Sequence, residues 1–120
     1  MERAVPGQTN PNFMAGVPEL MILRLLKARE MYGYEIVAAI RDESGQVLCV
    51  GEGVIYPVLH GLEKDGALKS RRKTVGGRSR VYYSVTPKGL KRFETLASDW
   101  SRLAGAIQAV LTGGAHVPAI

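Results

Sequence analysis

Between Lys69 and Arg92 the chain carries nine basic residues and no acidic one. Guanidinium and ammonium groups concentrated in this way bind phosphate oxygens, and Arg71, Lys73, Arg78 and Arg80 are the candidate phosphate clamps. A little upstream, Tyr56, His60 and Lys64 recur every four residues. That spacing sets them on one face of a helix. An aromatic ring, an imidazole and an ammonium on one helical face can reach base edges in a duplex groove. A plainer reading makes Tyr56 a ring that packs this helix onto its neighbour. Lys88, Lys91 and Arg92 extend the basic stretch, and their plainer reading is solvated helix charges of small energetic worth.

The same inventory offers little to catalysis. Cys49 has no basic neighbour in sequence, and His60 and His116 lie far from it and from each other. This matches no metal-ligand spacing and no nucleophile paired with a base, so the expectation is a protein that is not an enzyme and needs no metal or cofactor. Cys49 reads as a small buried apolar residue. Gly76-Gly77-Arg78 is not a phosphate loop, because no Gly-Lys-Ser/Thr follows and no helix begins there.

Those residues need elements to hold them. Residues 1–16 read as a loose tail rich in Pro, Gly and Asn. Pro18 and Glu19 fit the first turn of a helix from Val17 to Ala28, with Leu20, Ile22, Leu23, Leu25 and Leu26 as its apolar face. A second helix runs from Tyr34 to Glu43 and stops at Ser44-Gly45. A third begins near Gly53 or Val54, since Pro57 is tolerated only near a helix start, and buries Ile55, Val58, Leu59 and Leu62 before Gly66. Leu68 to Thr74 and Arg80 to Thr86 form a β-hairpin around Gly76-Gly77. The hairpin is too charged for a core element and must protrude.

After Pro87 one long helix runs to about Leu111. Phe93, Leu96, Trp100, Leu103, Ile107 and Val110 are spaced alternately three and four apart, a heptad seam. A helix of about 25 residues is roughly 37 Å long, more than the rest of the chain can cover. A second copy is the simplest partner for the surplus apolar face.

Length and charge agree with this layout. The 120 residues are 46% hydrophobic, enough for one small core. A single cysteine excludes an internal disulfide, and no apolar run is long enough for a membrane span, so a cytoplasmic protein without membrane contact is expected. The net charge of +5 divides into −3 over residues 1–68, +9 over 69–92 and −1 over 93–120. The positive excess therefore has one address, as expected of a face that binds a polyanion.

The expected architecture is α+β and mainly helical. A winged helix-turn-helix of three helices and a two-stranded β-wing spans residues 17–86, a dimerisation helix 87–112, and a second tail 113–120. The residues also resemble the PadR family of bacterial transcriptional regulators. The likeness covers about residues 14–103 and is carried by ordered motifs. These are Tyr32-Gly33-Tyr34-Glu35-Ile36, Gly53-Val54-Ile55-Tyr56-Pro57-Val58-Leu59, Leu62-Glu63-Lys64-Asp65-Gly66 and Tyr82-Tyr83-Ser84-Val85-Thr86-Pro87-Lys88-Gly89. The single C-terminal helix is similar to the compact branch of that family. The resemblance implies a homodimeric repressor that binds double-stranded DNA at an inverted repeat and responds to a ligand. It also implies a small aromatic effector stacking on Trp100, beside the alternative that Trp100 simply fills the dimer seam. Family members commonly carry Ser or Thr where Val54 stands, so the target sequence does not transfer. The contrasting class is a winged-helix module whose hairpin binds an acidic protein without specific DNA recognition.

Overall fold

The computed structural model describes residues 16–113. The expected tails lie outside the described residues, apart from Gly16 and Gly113, and so does His116. Seven elements follow in order: α1 (Val17–Ala28), β1 (Met31–Tyr32), α2 (Gly33–Glu43), α3 (Glu52–Lys64), β2 (Leu68–Val75), β3 (Arg78–Val85) and α4 (Pro87–Thr112). Gly16 enters α1 in the left-handed region at φ 77°, and Pro18 and Glu19 sit in the first turn. Ile22, Leu23 and Leu26 then point inward beside Ile36, Ile40, Ile55, Leu59 and Leu62, so the three helices share one apolar centre. No polar or charged residue is buried among the described residues.

The sheet holds one strand more than expected. β1 is only two residues long and pairs antiparallel with β3, Met31 opposite Tyr83 and Tyr32 opposite Tyr82, giving the order β1-β3-β2. Two residues cannot display the period-two pattern that marks a strand in sequence. The β2-β3 hairpin is also tighter than expected, because its strands run on to Val75 and Arg78 around a two-residue turn. Gly76 and Gly77 take φ 58° and 80°, the pair of positive values that the tightest hairpin turn requires.

α3 starts one residue before its expected position, at Glu52, which leaves Pro57 as the sixth helical residue. Pro57 has no N–H for the carbonyl four residues back, which belongs to the solvent-exposed Gly53. Cys49, in the loop between α2 and α3, is half-buried with its thiol directed at the Gln46 carbonyl (3.6 Å), rather than a core residue.

α4 is fixed at its start. Thr86 Oγ1 accepts a hydrogen bond from the Gly89 N–H (3.1 Å) and donates one to the Gly66 carbonyl (2.6 Å). At Gly89 the helix crosses the sheet so closely that a β-carbon would collide with the Ala67 carbonyl and the Val85 side chain. Arg92 pairs with Glu19 of α1 (2.7 Å) and with Asp65 (3.4 Å), and Lys88 Nζ donates to the Asp65 carbonyl (2.7 Å). These two basic residues therefore bind α4 to the domain. The helix is 26 residues and about 39 Å long, and its apolar seam turns to solvent only past Leu96.

Candidate nucleic-acid interface

With Ile55, Leu59 and Leu62 buried, α3 turns Glu52, Gly53, Val54, Pro57, His60, Gly61 and Lys64 to solvent, Glu52 being the one acidic group of that face. This outer face is small and mostly apolar. His60 and Lys64 are its only side chains able to donate a hydrogen bond. Tyr56 lies at its edge, half-buried, with its ring against the backbone of Gly33 at the start of α2. The Tyr56 and His60 ring centroids are 6.0 Å apart. The packing role considered for Tyr56 thus has a specific partner, and the ring still borders the exposed face.

The wing stands beside α3, and alternation along its strands divides its cations between two faces. On β2, Arg72 points the same way as Ser70, whose hydroxyl donates to Glu63 of α3 (2.6 Å). Lys69, Arg71 and Lys73 point the opposite way. A cleft of about 790 Å³ opens between the start of α2, the outer edge of α3 and the arm of the wing. It is lined by Tyr32, Tyr34, Tyr56, His60, Arg72, Arg78, Ser79, Arg80, Val81 and Tyr83, and no carboxylate among the described residues lines it. The structure therefore brings together Tyr56, His60, Arg78 and Arg80 from the sequence-derived set. Lys64, one helical turn beyond His60, remains exposed outside the cleft.

Arg71 and Lys73 are placed elsewhere. Glu30, the residue before β1, accepts from Arg71 Nη2 (2.7 Å) and Nε (3.2 Å) and from Lys73 Nζ (2.7 Å). The Arg71 hydrogen bonds, and after them that of Lys73, hold the Glu30 carboxyl at about 2, down from 4.5. Lys73 Nζ also lies 4.4 Å over the Tyr82 ring, and the Arg80 guanidinium lies 4.3 Å over the Tyr32 ring. Stacking of this kind holds long cationic side chains in place.

Of the nine cations between Lys69 and Arg92, Arg71, Lys73 and Arg92 form ion pairs among the described residues. Lys69, Arg72, Arg78, Arg80, Lys88 and Lys91 form none there, and Arg72, Arg78 and Arg80 converge on the cleft. Arg72 and the lining residues Tyr32 and Tyr34 were not in the sequence-derived set. The signal for Arg72 was present: a two-residue turn at Gly76-Gly77 and strict alternation put it on the α3 side.

The α4 seam is split. Phe93 and Leu96 pack against the domain's own core, Phe93 beneath the Lys27 ammonium at 5.3 Å. The rest of the seam is exposed, with Trp100 at 46%, Leu103 at 54%, Ile107 at 47% and Val110 at 80%. No helix among the described residues is long and apolar enough to cross a membrane.

Comparison with known proteins fits this geometry. A transcriptional regulator from Mycobacterium tuberculosis, Rv3488, is 40% identical over 67 residues, which are 56% of this chain and 60% of that protein. The solved structure of a transcriptional regulator from Clostridium thermocellum superposes with a TM-score of 0.75 at 30% identity, covering 81% of this chain and 95% of that one. A PadR-like transcriptional regulator from Bacillus cereus superposes with a TM-score of 0.73, also at 30% identity, over 83% and 96% of the two chains. The profile of the transcriptional regulator PadR-like family matches residues 22–95, and the chain belongs to that family.

Proposed function

We propose that this regulator binds duplex DNA as a cytoplasmic homodimer, with α3 in the major groove and the β2-β3 wing along the backbone. The observation that carries the reading is the carboxylate-free cleft, in which His60 from α3 meets Arg72, Arg78 and Arg80 from the wing. Such a cleft is complementary to a phosphodiester strand: the arginines supply fork-shaped donors, and the wing tip can place Arg78 in a minor groove. Lys64 adds a further phosphate contact at the far end of α3. The face of Gly53, Val54, Pro57 and Gly61 offers close approach and apolar contact with thymine methyl groups, leaving His60 as the main hydrogen-bonding reader.

The exposed half of the α4 seam supports association with a second copy. A two-fold dimer would set two α3 helices on half-sites one DNA turn or a multiple of it apart. Repression of the target genes follows if the sites overlap promoters, and a flat aromatic effector stacking on Trp100 would change the angle between the two α4 helices and hence the half-site spacing.

The test is selection of bound fragments from the host genome with the purified protein. The reading expects an inverted-repeat sequence bound at least about a hundredfold more tightly than bulk DNA, within the usual range for specific binders. Uniform weak binding, or capture of an acidic protein instead, would replace it with the interaction-module reading.

A further inference from the structure

We propose that Glu30 is a specificity-determining residue: it withholds Arg71 and Lys73 from the DNA backbone and so limits the sequence-independent part of binding. The inference rests on the DNA-binding reading and adds to it a role for a residue outside the groove-facing set.

The geometry is that of a built contact. Glu30 is held by β1, because the next residue, Met31, pairs with Tyr83 in the centre of the sheet. Arg71 stands opposite Tyr82 and Lys73 opposite Arg80 across the hairpin. Glu30, Tyr32, Arg71, Lys73, Arg80 and Tyr82 consequently share one face, whose Tyr32 and Arg80 also reach the rim of the cleft. Both Glu30 oxygens are engaged, one by Arg71 Nη2 and Lys73 Nζ and the other by Arg71 Nε. These are the only ion pairs that cations of the wing make among the described residues. The pairs remain within reach of solvent, Arg71 at 66% side-chain exposure, so a phosphate could take the place of the carboxylate.

Non-specific binding grows with every cation that meets a phosphate and releases a counterion. A cation already neutralised by a fixed carboxylate gives little in that exchange, and a displaced carboxylate left beside phosphates repels them. The cations of the cleft, by contrast, meet no carboxylate among the described residues. Glu30 therefore suppresses the loose, phosphate-dominated complexes more than the fitted one, in which α3 and the cleft supply the contacts.

The test measures binding of a random-sequence duplex and of the selected operator by the wild-type protein and by Glu30→Gln, across a salt series. With two cations per protomer released, Glu30→Gln should steepen the random-duplex slope of log K against log salt by about 1.8 per protomer. It should tighten that binding at least about tenfold at low salt and narrow the preference for operator. Adding Lys73→Gln to Glu30→Gln should take back about half of the change, and equal melting midpoints would show that the wing still folds. An unchanged or shallower slope for a folded Glu30→Gln protein would overturn the proposal while leaving DNA binding intact. A wild-type protein that binds neither duplex would overturn the underlying reading, and the proposal with it.

Discussion

The Tyr56 ring lies so close to Gly33 that a β-carbon at position 33 would overlap its hydroxyl end. This contact joins the first residue of α2 to α3 one turn before His60. Gly33→Ala should therefore push the ring outward and cost about 1–3 kcal/mol, the usual range for overpacking. Combining it with Tyr56→Leu should relieve the collision, so the two changes should be strongly non-additive in denaturant melts. Additive effects would show that the ring does not hold the helix.

Glu30 gives the stability a defined acid limb. Its carboxyl titrates at about 2 in the folded chain against 4.5 unperturbed, so the folded state binds fewer protons than the unfolded one through that interval. The stabilisation is complete above about pH 4.5 and is lost as pH falls toward 2. Glu30→Gln should flatten this limb of the unfolding midpoint between those values and leave the neutral region without a new transition. An identical acid limb in the variant would mean that the pairs with Arg71 and Lys73 do not persist in solution.

Ile107, exposed at 47% on the outer half of α4, lies at the centre of the unpartnered seam. A charge there faces water in a monomer but is buried and unpaired in a dimer. Ile107→Glu should thus reduce the solution mass from twice 13.0 kDa to the single-chain value, with little change in the melting of the winged-helix domain. A wild-type chain that sediments as a monomer would contradict the two-fold arrangement.

The wing and the recognition helix should fail in different ways. Arg72→Glu and Arg78→Glu remove phosphate contacts, and they should weaken binding to operator and to random duplex alike, by about tenfold or more each. His60→Ala removes a groove contact and should instead change preference at one operator position by about 1–3 kcal/mol. Competition binding against an operator mutated base by base separates the two patterns. Identical patterns would show that α3 and the wing have been assigned the wrong roles.

The sequence carried the elements whose signal is local. Pro18 and Glu19 opened α1, the run of Ile55, Leu59 and Leu62 oriented α3, and Gly76-Gly77 marked the hairpin. Relationships across the fold were less visible. β1 is too short to show a period, and its existence depends on Tyr82 and Tyr83, fifty residues later. The partner of Arg71 is Glu30, 41 residues away, so a stretch with no acid of its own could not reveal that two of its cations are already paired. The place of Arg72 is not legible from charge counts, which ignore the face of a strand that a residue takes.

In the proposed complex this cleft and α3 bind the DNA backbone, with Arg72, Arg78, Arg80 and Lys64 supplying three or four contacts per protomer. Titration of a duplex containing the selected operator, repeated across salt concentrations, should therefore give a slope of log K against log salt of about −5 to −7 for the dimer. A slope near zero would contradict the account.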